Sequence, residues 1–333
     1  MSNKKCVREK YLYLSARLSS MSARMLNREK AERLLDAQSF GEAAKLLTDF
    51  GYADVTGMSA KEIDAVLSEH RAAQFDDIYK VIPDKEIVDI FRIKYDYHNA
   101  KTIMKSEVRE LDRADLLSKS GRVPPEVLLS DYNDDRFGHE TDVFAKAVRD
   151  AKVTLSRTGN PQLADFVLDK AYFGELSAIA EKLGSKFLKG YVELMIDSAN
   201  LRSAVRTIRM NKDTEFLRTT LVEGGSVGTG RILASASGDG LMSLFSTTAL
   251  KKAAALGSEA ASGGRMTAFE LECDNAVTGY LKSAKLVAFG EAPVISYLAS
   301  VENEITAVRM ILTGFLAGIA PDTIRERLRD FYA

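Results

Sequence analysis

The sequence predicts an all-α protein, and three observations carry that prediction. From Tyr191 to Met210, apolar residues recur at three- and four-residue intervals, which is the spacing of one helix face. The same pattern occurs again about a hundred residues earlier and about a hundred residues later. Very few stretches alternate apolar with polar residues, as a half-buried strand would.

The repeated pattern is an acid, followed three residues later by Asn (Ala in the last copy) and five residues later by a base. The copies are, in chain order, Asp96, Asn99 and Lys101; Asp197, Asn200 and Arg202; Glu304, Ala307 and Arg309. Asp and Asn are weak helix formers because their side chains compete for backbone groups, so their mid-helix positions predict fixed partners. The repeat predicts three homologous helical domains, residues 1–120, 121–224 and 225–333, and suggests pseudo-threefold symmetry.

Local signals mark the helices of the first repeat. Asn27 breaks an opening helical pattern, and the next helix runs from about residue 28 to 35. Ser39 is an N-cap for residues 40–49, and Ser59 with Glu62 forms a capping box for a helix from residue 59 to 75. Pro83 suits the first turn of the motif helix, which runs to about Leu111.

The later repeats carry similar signals. Helices are predicted over residues 161–183, with a break at Gly174, and over 214–221 and 266–284, while residues 253–262 are predicted to form a mobile loop. Pro293 starts the third motif helix. A Gly, then an apolar residue, then Pro or Gly follows every motif, within residues 121–124, 225–228 and 318–321, so each copy ends in a glycine-terminated exit.

The bulk composition excludes several classes of protein. A chain of 333 residues with a net charge of -1 suits two or three domains and argues against a dedicated nucleic-acid binder. Cys6 and Cys273 are too few for a disulfide framework and indicate reduced thiols in a cytosolic protein. The most apolar run, residues 310–320, is about half the length that spans a bilayer. We therefore expect any membrane association to go through a partner.

No catalytic, cofactor or metal site is predicted. His70, His98 and His139 lack metal-ligand spacing, and His98 is better explained by a hydrogen bond. The Gly-rich residues 223–231 lack the Lys-Ser/Thr of a P-loop and follow no apolar strand, so a flexible connection is favoured over a nucleotide site. We expect a protein that is not an enzyme.

Two interpretations of the acid–Asn–base motif remain open. The acids Asp96, Asp197 and Glu304 would pair with the bases and lock neighbouring helices. Alternatively, the bases Lys101, Arg202 and Arg309 would line a surface that meets an acidic partner. The structural interpretation is favoured, because Asp and Asn rarely sit mid-helix without internal partners.

Several motifs together resemble a known family. DYHNAK, DSANLR and ENEITAVR, with FGEAPVISYL, IRERL and the early YLSARLSSM, are similar to the C subunit of the V/A-type rotary ATPases, known in eukaryotes as the d subunit. The resemblance covers about Tyr11 to Leu328, and the order of the motifs is more specific than any one of them. Ala307 departs from the Asn of the other copies, and the Gly/Ser-rich residues 224–264 look looser than expected.

The resemblance implies a funnel of three helical domains, present in one copy per complex on the cytoplasmic face of the membrane. The protein would sit on the rotor ring that proteolipid subunits form in the membrane, and it would hold the foot of the central shaft. It would have no catalytic activity, no cofactor and no membrane-spanning segment. The six acids and bases of the motif would then be candidates for shaft or ring contacts or for inter-helix locks. Two other hypotheses are a cytosolic helical-repeat scaffold and an enzyme with an unrecognised site. Under the rotary-ATPase hypothesis, torque would couple ATP hydrolysis or synthesis to the translocation of H⁺ or Na⁺.

Overall fold

The computed structural model of the chain describes residues 7–109, 116–137, 142–235 and 237–332. All regular structure in these ranges is helical, and they contain no β-strand. The predicted all-α fold class is therefore confirmed. In chain order the α-helices are α1 (Leu12–Ser22), α2 (Arg28–Leu35), α3 (Phe40–Asp49), α4 (Ala60–Val81), α5 (Glu86–Arg109), α6 (Pro125–Asn133), α7 (Val143–Thr158), α8 (Pro161–Leu183), α9 (Lys186–Arg209), α10 (Thr214–Thr220), α11 (Thr229–Ala234), α12 (Gly238–Leu244), α13 (Lys251–Ala261), α14 (Met266–Lys282), α15 (Glu291–Leu316) and α16 (Pro321–Arg325).

These helices form two compact units. We call Cys6–Val88 with Arg265–Ala333 the terminal unit, because it combines both ends of the chain, and we call Asp89–Gly264 the central unit. Cys6 and His139 lie outside the described residues. The division into three repeats at residues 120 and 224 stays a prediction.

Helix α15 forms the core of the terminal unit. Every residue from Val294 to Val301 is buried, so this part of the helix has no solvent-exposed face. Helices α1, α2, α3, α4 and α16 pack against α15. Because a helix that is apolar all round gains free energy only when it is covered on all sides, α15 requires neighbours from both ends of the chain.

Helix α9 has the same place in the central unit. Its buried residues include Ile196, Leu201 and Val205, and α8, α10, α12 and α13 pack against it. Helices α7 and α8 form an antiparallel pair joined at Gly159, which has a φ of 64° and so ends α7 in the left-handed conformation that glycine adopts without steric cost. The motif helices of the second and third repeats are thus the centres of the two units.

The capping signals predicted from the sequence are confirmed. Asn27 and Ser39 accept hydrogen bonds from the first turns of α2 and α3, and Ser59 and Glu62 form both halves of the capping box of α4. Helix α5 begins at Glu86 rather than directly at Pro83, and Pro293 lies within the first turn of α15, where its missing N–H costs nothing.

Two local expectations were wrong. Helix α8 runs through Gly174, which is exposed, without a break, because burial of other residues of the helix such as Phe173 and Leu176 outweighs a glycine penalty of about 1 kcal/mol. Residues 253–262, expected to be a mobile loop, belong almost entirely to α13. Their alanines are strong helix formers, and Ala253, Ala254 and Ala260 are buried, so small side chains here allow close packing rather than disorder.

Candidate functional site

The acid of the first motif holds the loop that leads into α6. Asp96 is completely buried, and its Oδ1 accepts hydrogen bonds from the backbone N–H groups of Arg122 (2.8 Å) and Val123 (3.1 Å). Its Oδ2 accepts from Nε of Arg122 at 2.7 Å. Burial raises the pKa of the Asp96 carboxyl, while these bonds and the Arg122 charge act in the opposite direction.

Arg122 extends this contact to a neighbouring helix. Its Nη1 donates to Oε1 of Glu175 on α8 at 2.7 Å, and the hydroxyl of Tyr97 donates to the other oxygen of Glu175 at 3.1 Å. Burial lowers the pKa of Arg122, but its bonds to Glu175 and Asp96 outweigh that effect and raise the pKa overall. The buried charges are therefore paired, as stability requires.

The Asn of the first motif completes the attachment of the same loop. Nδ2 of Asn99 donates to the carbonyl of Ser118, and Oδ1 accepts the N–H of Ser118, both at 2.8 Å. Asn99 is fully buried, and this pair of bonds satisfies its amide in the way that a neighbouring strand would satisfy a backbone. Asp96 and Asn99 therefore both bond backbone groups of the loop, and neither bonds another side chain of the motif.

The second motif repeats this geometry. Oδ1 of Asp197 accepts the N–H of Val227 at 3.0 Å, and the hydroxyl of Ser226 donates to Oδ2. Asn200 bonds both the carbonyl and the N–H of Val222 at 2.8 Å. Asp197 and Asn200 are buried, and burial raises the pKa of Asp197, against its bonds to Ser226 and Val227. Two motif helices therefore carry the same two-residue clamp on their exit loops.

Glycine is required where each clamp closes. A Cβ on Gly121 would collide with Oδ1 of Asp96, and a Cβ on Gly225 would collide with Oδ1 of Asp197. Neither glycine has a positive φ, so the reason is close approach of the carboxylate rather than backbone conformation. The pattern of Gly, apolar residue and Pro or Gly noted in the sequence is thus explained for these two copies.

The third motif is built differently. Oε1 of Glu304, which is partly buried, accepts the hydroxyl of Tyr52 at 2.7 Å, and the carboxylate also accepts the backbone N–H of Leu26. Burial raises the pKa of Glu304, and these two donors act against it. Gly318, the expected counterpart of Gly121 and Gly225, has open space at its Cβ position. The glycine pattern at residues 318–321 follows the end of α15, but the motif acid does not hold it. The sequence-based prediction that all three glycine patterns are equivalent was therefore wrong for the third copy.

The backbone groups held by the three acids share one position. Val123, Val227 and Leu26 each lie two residues before the start of a helix, namely α6, α11 and α2. The third motif helix therefore takes its clamped segment from near the N-terminus instead of from the residues that follow it. Ala307 replaces Asn here, and the second half of the clamp is missing.

The expected pairing of each acid with the base of its own motif was wrong for two of the copies. Nζ of Lys101 lies 2.5 Å from Asp169 on α8, and Nε of Arg309 pairs with Asp64 on α4. Residues five apart on a helix point in directions that differ by about 140°, so the acid faces the loop while the base faces another helix. Arg202 of the second copy is partly buried on α9.

Sequence reasoning missed several partners. Tyr52 and Glu175 have no distinguishing sequence signal, since each is one of many similar residues. Arg122 alone could have been found, because it stands in the Gly-x-Val pattern that recurs at residues 225–227. His70, which stacks on Tyr52 with ring centroids 4.5 Å apart, has its pKa lowered by burial.

The described residues contain neither a cluster of side chains able to hold a metal ion nor a helix long and apolar enough to cross a membrane. The arrangement at the motifs is one of buried acids that fasten loops. It can hold helices in place.

Comparison with known proteins assigns the chain to a family. The sequence profile described as ATP synthase (C/AC39) subunit matches residues 14–327. The C subunit of the V-type sodium ATPase of Enterococcus hirae is 22% identical over 97% of this chain and 99% of its own length. The C subunit of the A-type ATP synthase of Methanocaldococcus jannaschii is 24% identical, covering 96% of this chain and 86% of its own. The C subunit of the V-type ATP synthase of Thermus thermophilus is 22% identical over 59% of this chain and 62% of its own. The chain belongs to the family of ATP synthase C/AC39 subunits.

Proposed function

We propose that this protein is the non-catalytic central-stalk adaptor of a V/A-type rotary ATPase. In this role it sits on the membrane rotor ring, at the cytoplasmic face, and holds the foot of the central shaft. It then transmits torque between ATP hydrolysis or synthesis and the translocation of H⁺ or Na⁺. The observation that carries the proposal is the family match over residues 14–327, together with a relative named as a C subunit that aligns along nearly its whole length.

The motif clamps suit such a part mechanically. A component that transmits torque must resist local opening, and segments open most easily where backbone hydrogen bonds are exposed and buried contacts are few. Asp96 and Asp197 place those bonds in the interior, at the points where a motif helix meets the next segment. We infer that the acids act as inter-helix locks that stiffen the adaptor.

The bases complete the proposal. Lys101 and Arg309 fasten their motif helices to α8 and α4 through partly exposed ion pairs. Together with Arg202, they remain candidates for contact with the shaft or the ring. An exposed ion pair contributes little free energy, so replacing it by a pair with an acidic partner costs little.

Affinity isolation tests the assembly. A C-terminally tagged chain would be expressed in its native organism, membranes would be solubilised in mild detergent, and the recovered proteins would be identified by mass spectrometry. We expect the ring proteolipid and the central-shaft subunits in the eluate, and not with a tag-only bait. Recovery of soluble proteins alone would contradict the adaptor role and favour a cytosolic helical-repeat scaffold.

A coupling assay tests the mechanical role. Inverted membrane vesicles from a strain lacking the chain should hydrolyse ATP without ATP-driven ion uptake, and added wild-type protein should restore uptake. The charge-reversal variants Lys101→Glu and Arg309→Glu would be compared with Asp150→Lys, which reverses an exposed charge on α7. Equal restoration by all three variants would exclude the bases as shaft or ring contacts.

A further inference from the structure

A short turn in the terminal unit exposes an apolar side chain almost completely. Residues Ser283–Leu286 form a 3-10 turn after α14, and the side chain of Leu286 at its end is 91% exposed. No other large apolar residue among those described exceeds Tyr13, at 71%. Ala288 is exposed as well, and Val287 and Phe289 are partly exposed. We call residues 285–289 the apolar tip.

The start of the chain's first helices lies beside this tip. Nη2 of Arg8 donates to the carbonyl of Phe289 at 3.1 Å, and its guanidinium lies over the Phe289 ring, 5.1 Å from the centroid. The N–H of Gly290 donates to the hydroxyl of Ser15 at 3.3 Å. Leu12, 51% exposed, is a further exposed apolar residue of this segment, three residues before Ser15.

Two basic side chains lie at the tip. Arg8 and Lys285 are both exposed. Arg8 contacts Phe289, and Nζ of Lys285 lies over the Tyr332 ring at 5.0 Å. Within the described part of the chain, neither of these cations forms an ion pair with a carboxylate. Glu9 and Glu291 are the acids of the same two segments, and Lys10 and Lys282 add further bases, so the two segments together carry a net positive charge.

We propose that the apolar tip docks onto an anionic lipid surface, with Leu286 inserted at the level of the headgroups. The Leu286 side chain projects from the protein surface, so it can be buried only in the interfacial region of a bilayer or in a matching pocket of a partner. Apolar residues flanked by Lys and Arg are typical of interfacial membrane binding. Each cation near an anionic bilayer strengthens binding roughly fivefold.

This inference goes beyond the proposed function, and its main test uses lipid vesicles alone. The chain contains no tryptophan, so Leu286→Trp places a single fluorescent reporter at the tip. With vesicles of phosphatidylglycerol and phosphatidylcholine, we expect a blue shift of the Trp emission and quenching by brominated acyl chains. Val153→Trp, at a 52% exposed apolar position on α7, is the matched control and should show neither effect.

Charge and salt complete the test. The double variant Arg8→Glu/Lys285→Glu, made on the Leu286→Trp background, should bind these vesicles at least tenfold more weakly, and raised salt should weaken the parent similarly. An unshifted emission spectrum of the Leu286→Trp variant with anionic vesicles would overturn the proposal. An equal shift with pure phosphatidylcholine would also overturn it, as would a shift that appears only with detergent-solubilised ring proteolipid, which would indicate a protein partner. Failure to bind vesicles would leave recovery of the other ATPase components by the tagged chain unaffected, so the two proposals can fail separately.

Discussion

Asp197 on α9 accepts a hydrogen bond from the backbone N–H of Val227 at 3.0 Å. Val227 lies in the loop between α10 and α11, which has no regular secondary structure of its own. Val227 is buried, and its N–H lies two residues before α11. One carboxylate thus satisfies a backbone donor that packing has removed from water, and it fixes where the next helix begins.

Removing this carboxylate should destabilise the protein. Asp197→Ala leaves the N–H of Val227 and the hydroxyl of Ser226 without their acceptor, and we expect the free energy of unfolding to fall by about 2–3 kcal/mol. Urea denaturation followed by circular dichroism measures the loss. Asp150→Ala, at an exposed position on α7, should change stability by less than about 0.5 kcal/mol. Equal losses in the two variants would refute the clamp.

Substitution by Ala should affect the free energy of unfolding differently at Gly225 and at Gly230. Gly225→Ala places a Cβ against Oδ1 of Asp197 and should cost about 1–3 kcal/mol of unfolding free energy. Gly230, in the first turn of α11, has no heavy atom within 4 Å of its Cβ position. There, Ala should be neutral or stabilise by up to roughly 1 kcal/mol. Thermal unfolding of both variants under identical conditions decides the matter, and a stabilised Gly225→Ala protein would show that the carboxylate moves freely.

Glu304 should make stability depend on pH. Its pKa is raised in the folded state by burial, so the folded protein holds the proton more tightly than the unfolded chain. The penalty for ionising Glu304 is therefore present at neutral pH and disappears as the pH falls through the folded-state pKa towards about 4.3, the ordinary value for Glu. Relative to Glu304→Gln, the wild type should gain stability as the pH falls from 7, as measured by urea midpoints.

An acid with the opposite shift provides the control for this pH series. The backbone and side chain of Ser59 lower the pKa of Glu62, whose exposed carboxylate closes the capping box of α4. Its contribution to stability is present above the ordinary Glu pKa and is lost as the pH falls through the lowered value. Relative to Glu62→Gln, the wild type should therefore lose stability on acidification. Parallel behaviour of the two variants would exclude a special environment at Glu304.

Double-mutant cycles should separate the two classes of ion pair. The pair between Asp96 and Arg122 has one fully buried partner, and we expect a coupling energy of about 1.5–3 kcal/mol from Asp96→Asn and Arg122→Met. The pair between Lys101 and Asp169 is 22% and 42% exposed at its side chains, and its coupling should be below about 1 kcal/mol. A larger coupling for Lys101 with Asp169 would reverse the roles assigned to acid and base in the motif.

The all-α class and the starts of several helices could be predicted from the chain alone, because caps and apolar periodicity are local properties. Asn27, Ser39 and Ser59 could be identified since an N-cap bonds a backbone group two or three residues away. The acids and Asn of the motif were found for the same reason, as residues that a helix does not favour without a partner. The pseudo-threefold funnel stays a prediction.

Which groups those motif residues bond depends on the folded structure. Asp96 and Asp197 reach loops well beyond their own helices, and Glu304 reaches Leu26 and Tyr52 near the other end of the chain. No spacing rule connects such residues, because burying the apolar surface of α9 and α15 is what brings distant segments together. The carboxylates then bond whichever donors that packing has removed from water.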